Sequence, residues 1–342
     1  MLTKKEVKQL REELETATRP LFIFDDDPDG LCSFLLFYRF IREGKGVIKK
    51  STPKISMAFV RKVEEYKPDK VFVLDVPIVE QDFIDAIKEP IIWVDHHGPY
   101  DRHGLLYFNP RKHDAQIYYP VTKICYDVVQ QDLWIAMCGC IGDWFVPDFK
   151  DEFCEKYPKL LDKKETEPGK ILFETRLGKL VKVFSFNLKG KASEVMKAVK
   201  VLTRIEDPEE ILSETTPQGK FIMKRFKRVN SYYEDLKKQA KARLNKSKIL
   251  LFPYTERQWS LSRDLATELV HEHPDKIVIV GRVKGGEMKC SIRSREAILP
   301  PIVEKSLRGL EGYGGGHDYA CGAVIKEEDF DQFIKNFKAE LK

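Results

Sequence analysis

A chain of 342 residues is long enough for two separate hydrophobic cores, and its 42% hydrophobic and 33% charged content excludes a disordered polymer. No uninterrupted apolar run is long enough to cross a bilayer, and the charged stretch from Lys4 to Arg11 lacks the apolar core of a signal peptide. The net charge of +5 is modest but uneven: Lys220 to Lys248 carries eleven Lys/Arg against two Asp/Glu, a local +9 that leaves −4 for the remainder.

Seven cysteines are an odd number, and Cys138 and Cys140 are too close for zinc-type CxxC spacing. Cys32, Cys125 and Cys154 lie in apolar stretches and read as small core residues. A reducing compartment, the cytoplasm, is therefore expected.

Lys4 to Arg11 reads as an amphipathic helix. The apolar run Leu21–Phe24 then reads as a buried strand, followed by the acidic turn Asp25-Asp26-Asp27-Pro28-Asp29-Gly30 and an apolar helix from Leu31. Four carboxylates in five positions repel one another unless cations neutralise them, and hard divalent ions favour oxygen ligands. An acidic turn that merely caps a helix is the plainer alternative. Arg42 to Gly46 reads as a basic turn and Met57 to Tyr66 as a short helix.

Two more apolar strands follow. Val71–Leu74 ends in Asp75, and Ile91–Val94 ends in Asp95-His96-His97, with a helix expected from Val79 to Ile87 between them. Strands separated by helices describe a parallel, helix-covered sheet, whose strands share one carboxyl edge. Ligands bind at that edge in open α/β sheets. Leu133 to Gly142 reads as a buried helix that delivers Asp143. An ionised Asp in such a place is costly unless it is paired.

Asp25-x-Asp27-x-Asp29-Gly30, Asp75, Asp95-His96-His97 and Gly142-Asp143 together resemble, in order, the four motifs of the DHH phosphoesterase superfamily. That superfamily includes RecJ exonucleases, nanoRNase-type oligoribonucleases, cyclic-dinucleotide phosphodiesterases and family II pyrophosphatases. Asp25 departs from the pattern, since many members open the first motif with His. Oxygen in place of nitrogen keeps a ligand but adds negative charge. The resemblance implies two Mn²⁺ ions, with Mg²⁺ or Co²⁺ as substitutes. One would take Asp25, Asp27 and Asp75; the other would take Asp29, Asp75, His96 and Asp143. It further implies His97 as a phosphate ligand or proton donor, with Asp95 orienting an imidazole.

Residues 148–218 carry no recognised motif and read as helical, including Ala192 to Ile205 and a helix start at Asp207-Pro208. Ile222 to Leu244 has apolar residues at steps of three and four, so one long helix carrying the basic cluster is expected. Its charge fits either a solvated helix or a nucleic-acid footprint.

A second α/β unit begins at Ile249–Phe252. A helix from Ser262 to His271, a strand from Ile277 to Gly281 and a Gly285-Gly286 hairpin into Met288–Ser294 follow. Gly312 to His317 reads as a glycine-rich loop. Ser291–Ser294 with Gly314, Gly315, Gly316 and His317 resembles the DHHA1 domain, which implies that Arg293 and this loop hold nucleotide phosphate or base. That likeness argues against a pyrophosphatase.

The expected fold is therefore α/β: a parallel-sheet DHH domain (1–150), a helical insertion and connector helix (151–247) and a smaller α/β DHHA1 domain (248–342), with a cleft between the first and last. The expected activity is Mn²⁺-dependent exonucleolytic hydrolysis of single-stranded DNA or RNA to 5′-mononucleotides. Hydrolysis of short oligonucleotides or cyclic dinucleotides is the second enzymatic reading. A catalytically retired scaffold for replication or repair proteins is the non-enzymatic one. No membrane partner is expected, and a homo-oligomer is left open.

Overall fold

A computed structural model describes residues 1–50, 54–255 and 258–341. The chain divides into two units, Met1–Phe226 and Lys227–Lys342.

The first unit opens with α1 (Lys4–Glu15), started by a Thr3/Glu6 capping box. Its main sheet is built from β1 (Leu21–Phe24), β2 (Lys45–Ile48), β4 (Val71–Leu74), β6 (Ile91–Val94) and β7 (Leu106–Phe108), while β3 (Lys54–Ile55) and β5 (Ile78–Val79) form a separate pair. The main sheet is parallel throughout, in the order β2-β1-β4-β6-β7. Every residue of β1, β4 and β6 is buried, as expected for strands covered on both faces.

Helices α2 (Pro28–Ile41), α3 (Val60–Tyr66), α4 (Gln81–Ala86), α5 (Val121–Val129) and α6 (Leu133–Gly142) belong to this unit. So do α7 (Lys150–Lys156), α8 (Pro168–Glu174), α9 (Arg176–Asn187), α10 (Ala192–Leu202) and α11 (Pro208–Leu212), the last with the Asp207 cap and Pro208 at its first position. A buried Arg39 on α2 ties this helical layer down. It forks onto Asp132 at 2.7 and 2.8 Å and donates to the Thr203 and Ile205 carbonyls.

The basic helix is α12 (Pro217–Lys241), ending three residues before Leu244. Its charge is largely engaged. Arg225 binds Glu194 and two carbonyls, Arg228 lies over Trp259, Lys237 pairs with Glu268 and Glu272, and Lys241 pairs with Glu272.

The second unit is a five-stranded sheet of β8 (Ile249–Thr255), β9 (Ile277–Lys284), β10 (Glu287–Arg293), β11 (Gly312–His317) and β12 (Ala320–Lys326), ordered β11-β12-β10-β9-β8. Only β8 and β9 run parallel. Helices α13 (Ser262–Glu272), α14 (Leu299–Ser306) and α15 (Phe330–Ala339) complete it. The core joins Ile279, Met288, Ile292, Val303, Phe333 and Phe337.

Two expectations need correction. Arg42 to Gly46 is not only a turn, because Lys45–Ile48 forms the edge strand β2. Gly312 to His317 is not a loop but the exposed edge strand β11, paired along its whole length with β12. Backbone pairing needs no side chain, so a glycine run can extend a sheet that gives it a partner. Gly316 has φ +151°, and a side chain there would drive Cβ to 2.3 Å from the Ala320 carbonyl oxygen.

Candidate metal centre

The carboxyl edge of the first sheet gathers the acidic residues. Asp25 follows β1, Asp75 follows β4 and Asp95 follows β6, because parallel register aligns Phe24, Leu74 and Val94. Asp27 caps α2 by accepting from the Gly30 amide at 3.1 Å. Gly30 packs on the Asp25 backbone so closely that a Cβ would sit 2.7 Å from its N and O. Only glycine lets the acidic turn fold back on its own strand. Asp143 caps the end of α6.

Three sets of ligand-competent atoms result, each with all atoms within 4.8 Å of one another: Asp25, Asp27 and Asp75; Asp29, His96 and Asp143; Asp75, His96 and His97. His96 Nε2 lies 3.4 Å from Asp75 Oδ1 and 3.8 Å from Asp143 Oδ2. Asp75 Oδ1 and His96 Nδ1 are nevertheless buried without a hydrogen-bond partner. Asp75 also holds a left-handed φ of +59°, uncommon for a residue with a side chain. Buried, unsatisfied and strained carboxylate geometry of this kind fits a cation.

The electrostatics agree. Burial, then repulsion from Asp27, pushes Asp25 up to about 6 and Asp29 up to about 7. Burial, then the surrounding carboxylates, pushes Asp75 well above the usual range. Burial and the neighbouring His97 bring His96 down to about 4, leaving it a neutral imidazole suited to ligation.

Asp95 is fully buried and serves as an orienter. It accepts from His97 Nδ1 at 2.8 Å, the His97 amide at 3.1 Å, Asn109 Nδ2 at 3.2 Å and the Tyr107 hydroxyl at 3.3 Å. Burial opposes a charge on His97, but the Asp95 hydrogen bond outweighs it and raises the imidazole. His97 keeps 39% of its side chain exposed. Asp29 is held differently, its oxygens accepting from the Val121 and Thr122 amides at 2.9 and 2.6 Å at the start of α5.

Several site residues escape a reading of the sequence. Tyr118 donates to Asp143 Oδ2 at 2.6 Å and packs edge-on against His96. Lys49, directly after β2, places Nζ 2.9 Å from Asp25 Oδ1. Recognising Lys45–Ile48 as a parallel strand would have put Lys49 on the same carboxyl edge. Tyr118 has no such signal, since it lies in the loop before α5.

In the second unit, Arg293 ends β10 and His317 ends β11, and both pair in register with Ala320 of β12. They therefore share one row at one end of the sheet, whereas Gly314, Gly315 and Gly316 run back along the exposed edge. Arg293 donates to Thr267 Oγ1 at 3.2 Å and to the Ile292 and Cys321 carbonyls at 2.9 and 3.3 Å. Burial, with Arg263 nearby, brings its guanidinium down to about 10, so it stays charged at neutral pH. A cavity of about 890 Å³ lies at the opposite end of this sheet, where Glu287, Glu311, Glu327 and Glu328 make an acidic lining. All seven cysteines are buried and unbridged. No helix among the described residues is long and apolar enough to cross a membrane.

A parallel sheet with converging acids, followed by a mixed sheet with a cationic row, defines a class of α/β protein. The chain shares its fold with solved RecJ and DHH-domain structures, and residues 253–342 match the DHHA1 domain family. Among solved structures it is similar to RecJ in complex with Mn²⁺ from Thermus thermophilus (TM-score 0.67, 17% identity), covering 98% of this chain and 54% of that one. The chain thus spans about half the length of the Thermus protein, which is also known in complex with Mg²⁺. It is likewise similar to an exonuclease RecJ bound to manganese (TM-score 0.61, 17% identity, 99% of this chain and 95% of that one). CDC45 from Entamoeba histolytica shares the fold (TM-score 0.51, 9% identity, 97% and 98%). No curated protein matches at the sequence level.

Proposed function

We propose that the chain is a divalent-metal-dependent phosphodiesterase of RecJ type, hydrolysing single-stranded DNA or RNA to 5′-mononucleotides. One observation carries the reading. Ligand-competent atoms from four separate segments form three overlapping sets, two of which include Asp75, whose buried Oδ1 no hydrogen bond satisfies.

In this reading Asp25, Asp27 and Asp75 hold one Mn²⁺, and Asp29, Asp75, His96 and Asp143 hold the other. When bound, the ions supply Lewis-acid activation of water and charge neutralisation at the phosphoryl group. His97 supplies the proton. Asp95 fixes its Nδ1–H and favours the charged ring, so Nε2 donates to a phosphate oxygen or leaving group. Arg293 and His317, with the exposed amides of Gly314 to Gly316, hold a nucleotide phosphate or base. Residues 1–150 then bear the metals and residues 248–342 hold substrate.

End-labelled DNA and RNA oligomers, digested with Mn²⁺, with Mg²⁺ and with EDTA, test the reading. Mononucleotides released in metal and absent in EDTA are the expected result. Binding of strands without hydrolysis under any metal would replace the enzyme with a scaffold for replication or repair proteins. Cleavage confined to dinucleotides would narrow the substrate to short oligomers.

A further inference from the structure

The acidic cluster carries a buried cation of its own. β2 pairs with β1 so that Ile48 lies opposite Phe24, and the Lys49 amide donates to the Phe24 carbonyl at 2.8 Å. That register carries Lys49 to the level of Asp25, one step beyond the sheet. Lys49 is only 5% exposed, and among the described residues Asp25 is the one carboxylate within ion-pair distance of its Nζ. The next residue, Lys50, reaches Asp26 at 3.4 Å and the Leu188 carbonyl at 2.7 Å, which holds this strand end in place.

The cluster is therefore asymmetric. Asp25 Oδ1 is already ion-paired with Lys49 at 2.9 Å and accepts from the Asp26 amide at 2.6 Å. Asp29 is met by backbone amides and Asp75 Oδ1 by no hydrogen bond, and among the described residues neither has a lysine or arginine at ion-pair distance. A divalent ion held partly by Asp25 would meet a fixed ammonium in a low-dielectric surrounding. Like charges repel there far more than in water. Lys49 cannot withdraw cheaply, because a buried ammonium without its carboxylate is costly.

We propose that Lys49 sets the metal affinities: the position at Asp25, Asp27 and Asp75 binds its ion more weakly than the position at Asp29, His96 and Asp143, and fills second. The inference rests on the metal-centre reading above. Lys49 touches a ligand rather than substrate, so it is a positioning residue, and the test reads metal binding directly.

Metal-stripped protein is titrated with Mn²⁺, following free Mn²⁺ by electron paramagnetic resonance. Wild type should show two affinity classes. Lys49→Met should tighten the weaker class by at least about tenfold, a lower bound because a unit charge repels a divalent ion more strongly at an intermediate effective dielectric than in bulk water, and leave the stronger class in place. Lys49→Arg should keep the wild-type pattern, and Asp25→Asn should loosen only the weaker class. If Lys49→Met does not fold by circular dichroism, Lys49→Gln takes its place, and an intact stronger class reports the native site. A weaker class that stays put or loosens in the folded variant overturns the inference while the metal centre stands, as does a single class in wild type. No Mn²⁺ bound by wild type removes the metal centre itself.

Discussion

The carboxyl edge of the first sheet gathers carboxylates, whereas the Arg293–His317 row of the second is built on a guanidinium, so the two regions differ in the sign of their charge. Five aspartates gather in the first unit, and the buried Lys49 pairs with one of them, Asp25. In the second, a largely buried guanidinium is answered by a hydroxyl and two carbonyls, which are dipoles rather than charges. The first region calls for cations and the second for an anion.

Topology explains why the two differ in richness. Parallel strands deliver all their following residues to one edge, so distant segments pool their ligands there. Antiparallel neighbours alternate direction, so the second sheet gathers only residues that share a cross-strand row. The first region can build a centre of six or more ligands, and the second can build a grip.

Breaking the first region should have the largest effect. Asp75 belongs to two of the three ligand sets, so Asp75→Ala should lower hydrolysis by at least about 10³-fold, a loss of about 4 kcal/mol in transition-state stabilisation. Bound Mn²⁺, measured by mass spectrometry of the purified protein, should fall with it. The fold should survive, because the change relieves carboxylate repulsion. Activity close to wild type would take the shared-ligand role away from Asp75.

The second region should fail differently. Arg293→Ala and His317→Ala should each weaken binding of a short oligonucleotide by about 10–100-fold, the scale of losing a charge-assisted phosphate contact. Metal content should stay at the wild-type value. A parallel loss of metal would move these residues into the metal centre and erase the distinction between the regions.

The first region was also far more legible in the sequence. Leu21–Phe24, Val71–Leu74 and Ile91–Val94 are unbroken apolar runs ending in acids, a pattern that buried parallel strands produce. β2 was hidden because Lys45-Gly46-Val47-Ile48 offers two apolar residues and a glycine, and with it went Lys49. β7 has only three residues, which hid Tyr107 and Asn109 behind Asp95. Tyr118 reaches Asp143 by tertiary packing alone, which no local pattern encodes. The glycine run reads as a loop in the sequence because its strand character comes from β12 and not from its own side chains.

Stability against pH sharpens the contrast further. Without metal, Asp25, Asp29 and Asp75 all titrate above the roughly 3.9 of an unfolded Asp. The folded chain then binds more protons than the unfolded one between about pH 4 and 7. Their contribution is therefore full below that window and lost as pH rises through it. Metal-free protein should lose at least about 4 °C in melting temperature between pH 5 and 7.5, and saturating Mn²⁺ should remove that loss. A melting temperature that rises with pH in EDTA would mean that these carboxylates are not under mutual strain.

The smallest effect is expected on α12. Its local charge suggested a track for nucleic acid, yet Arg225, Arg228, Lys237 and Lys241 are engaged within their own units. Lys224 and Lys227 are exposed near its centre, as is Arg228. Each phosphate neutralised on a single strand contributes about −0.7 to the slope of log affinity against log salt. Replacing Lys224 and Lys227 with Gln should therefore flatten that slope by at most about 1.4 for a long strand. Cleavage of a dinucleotide, which offers one internal phosphate, should stay as it was. Arg225→Gln, by contrast, should lower the melting temperature through its lost bonds to Glu194 and the Asn187 and Lys189 carbonyls, with little change in the salt slope. Binding curves for long and short oligomers across a salt series separate the two roles. An unchanged slope for the double variant would leave α12 as a structural connector whose positive charge is spent on its own neighbours.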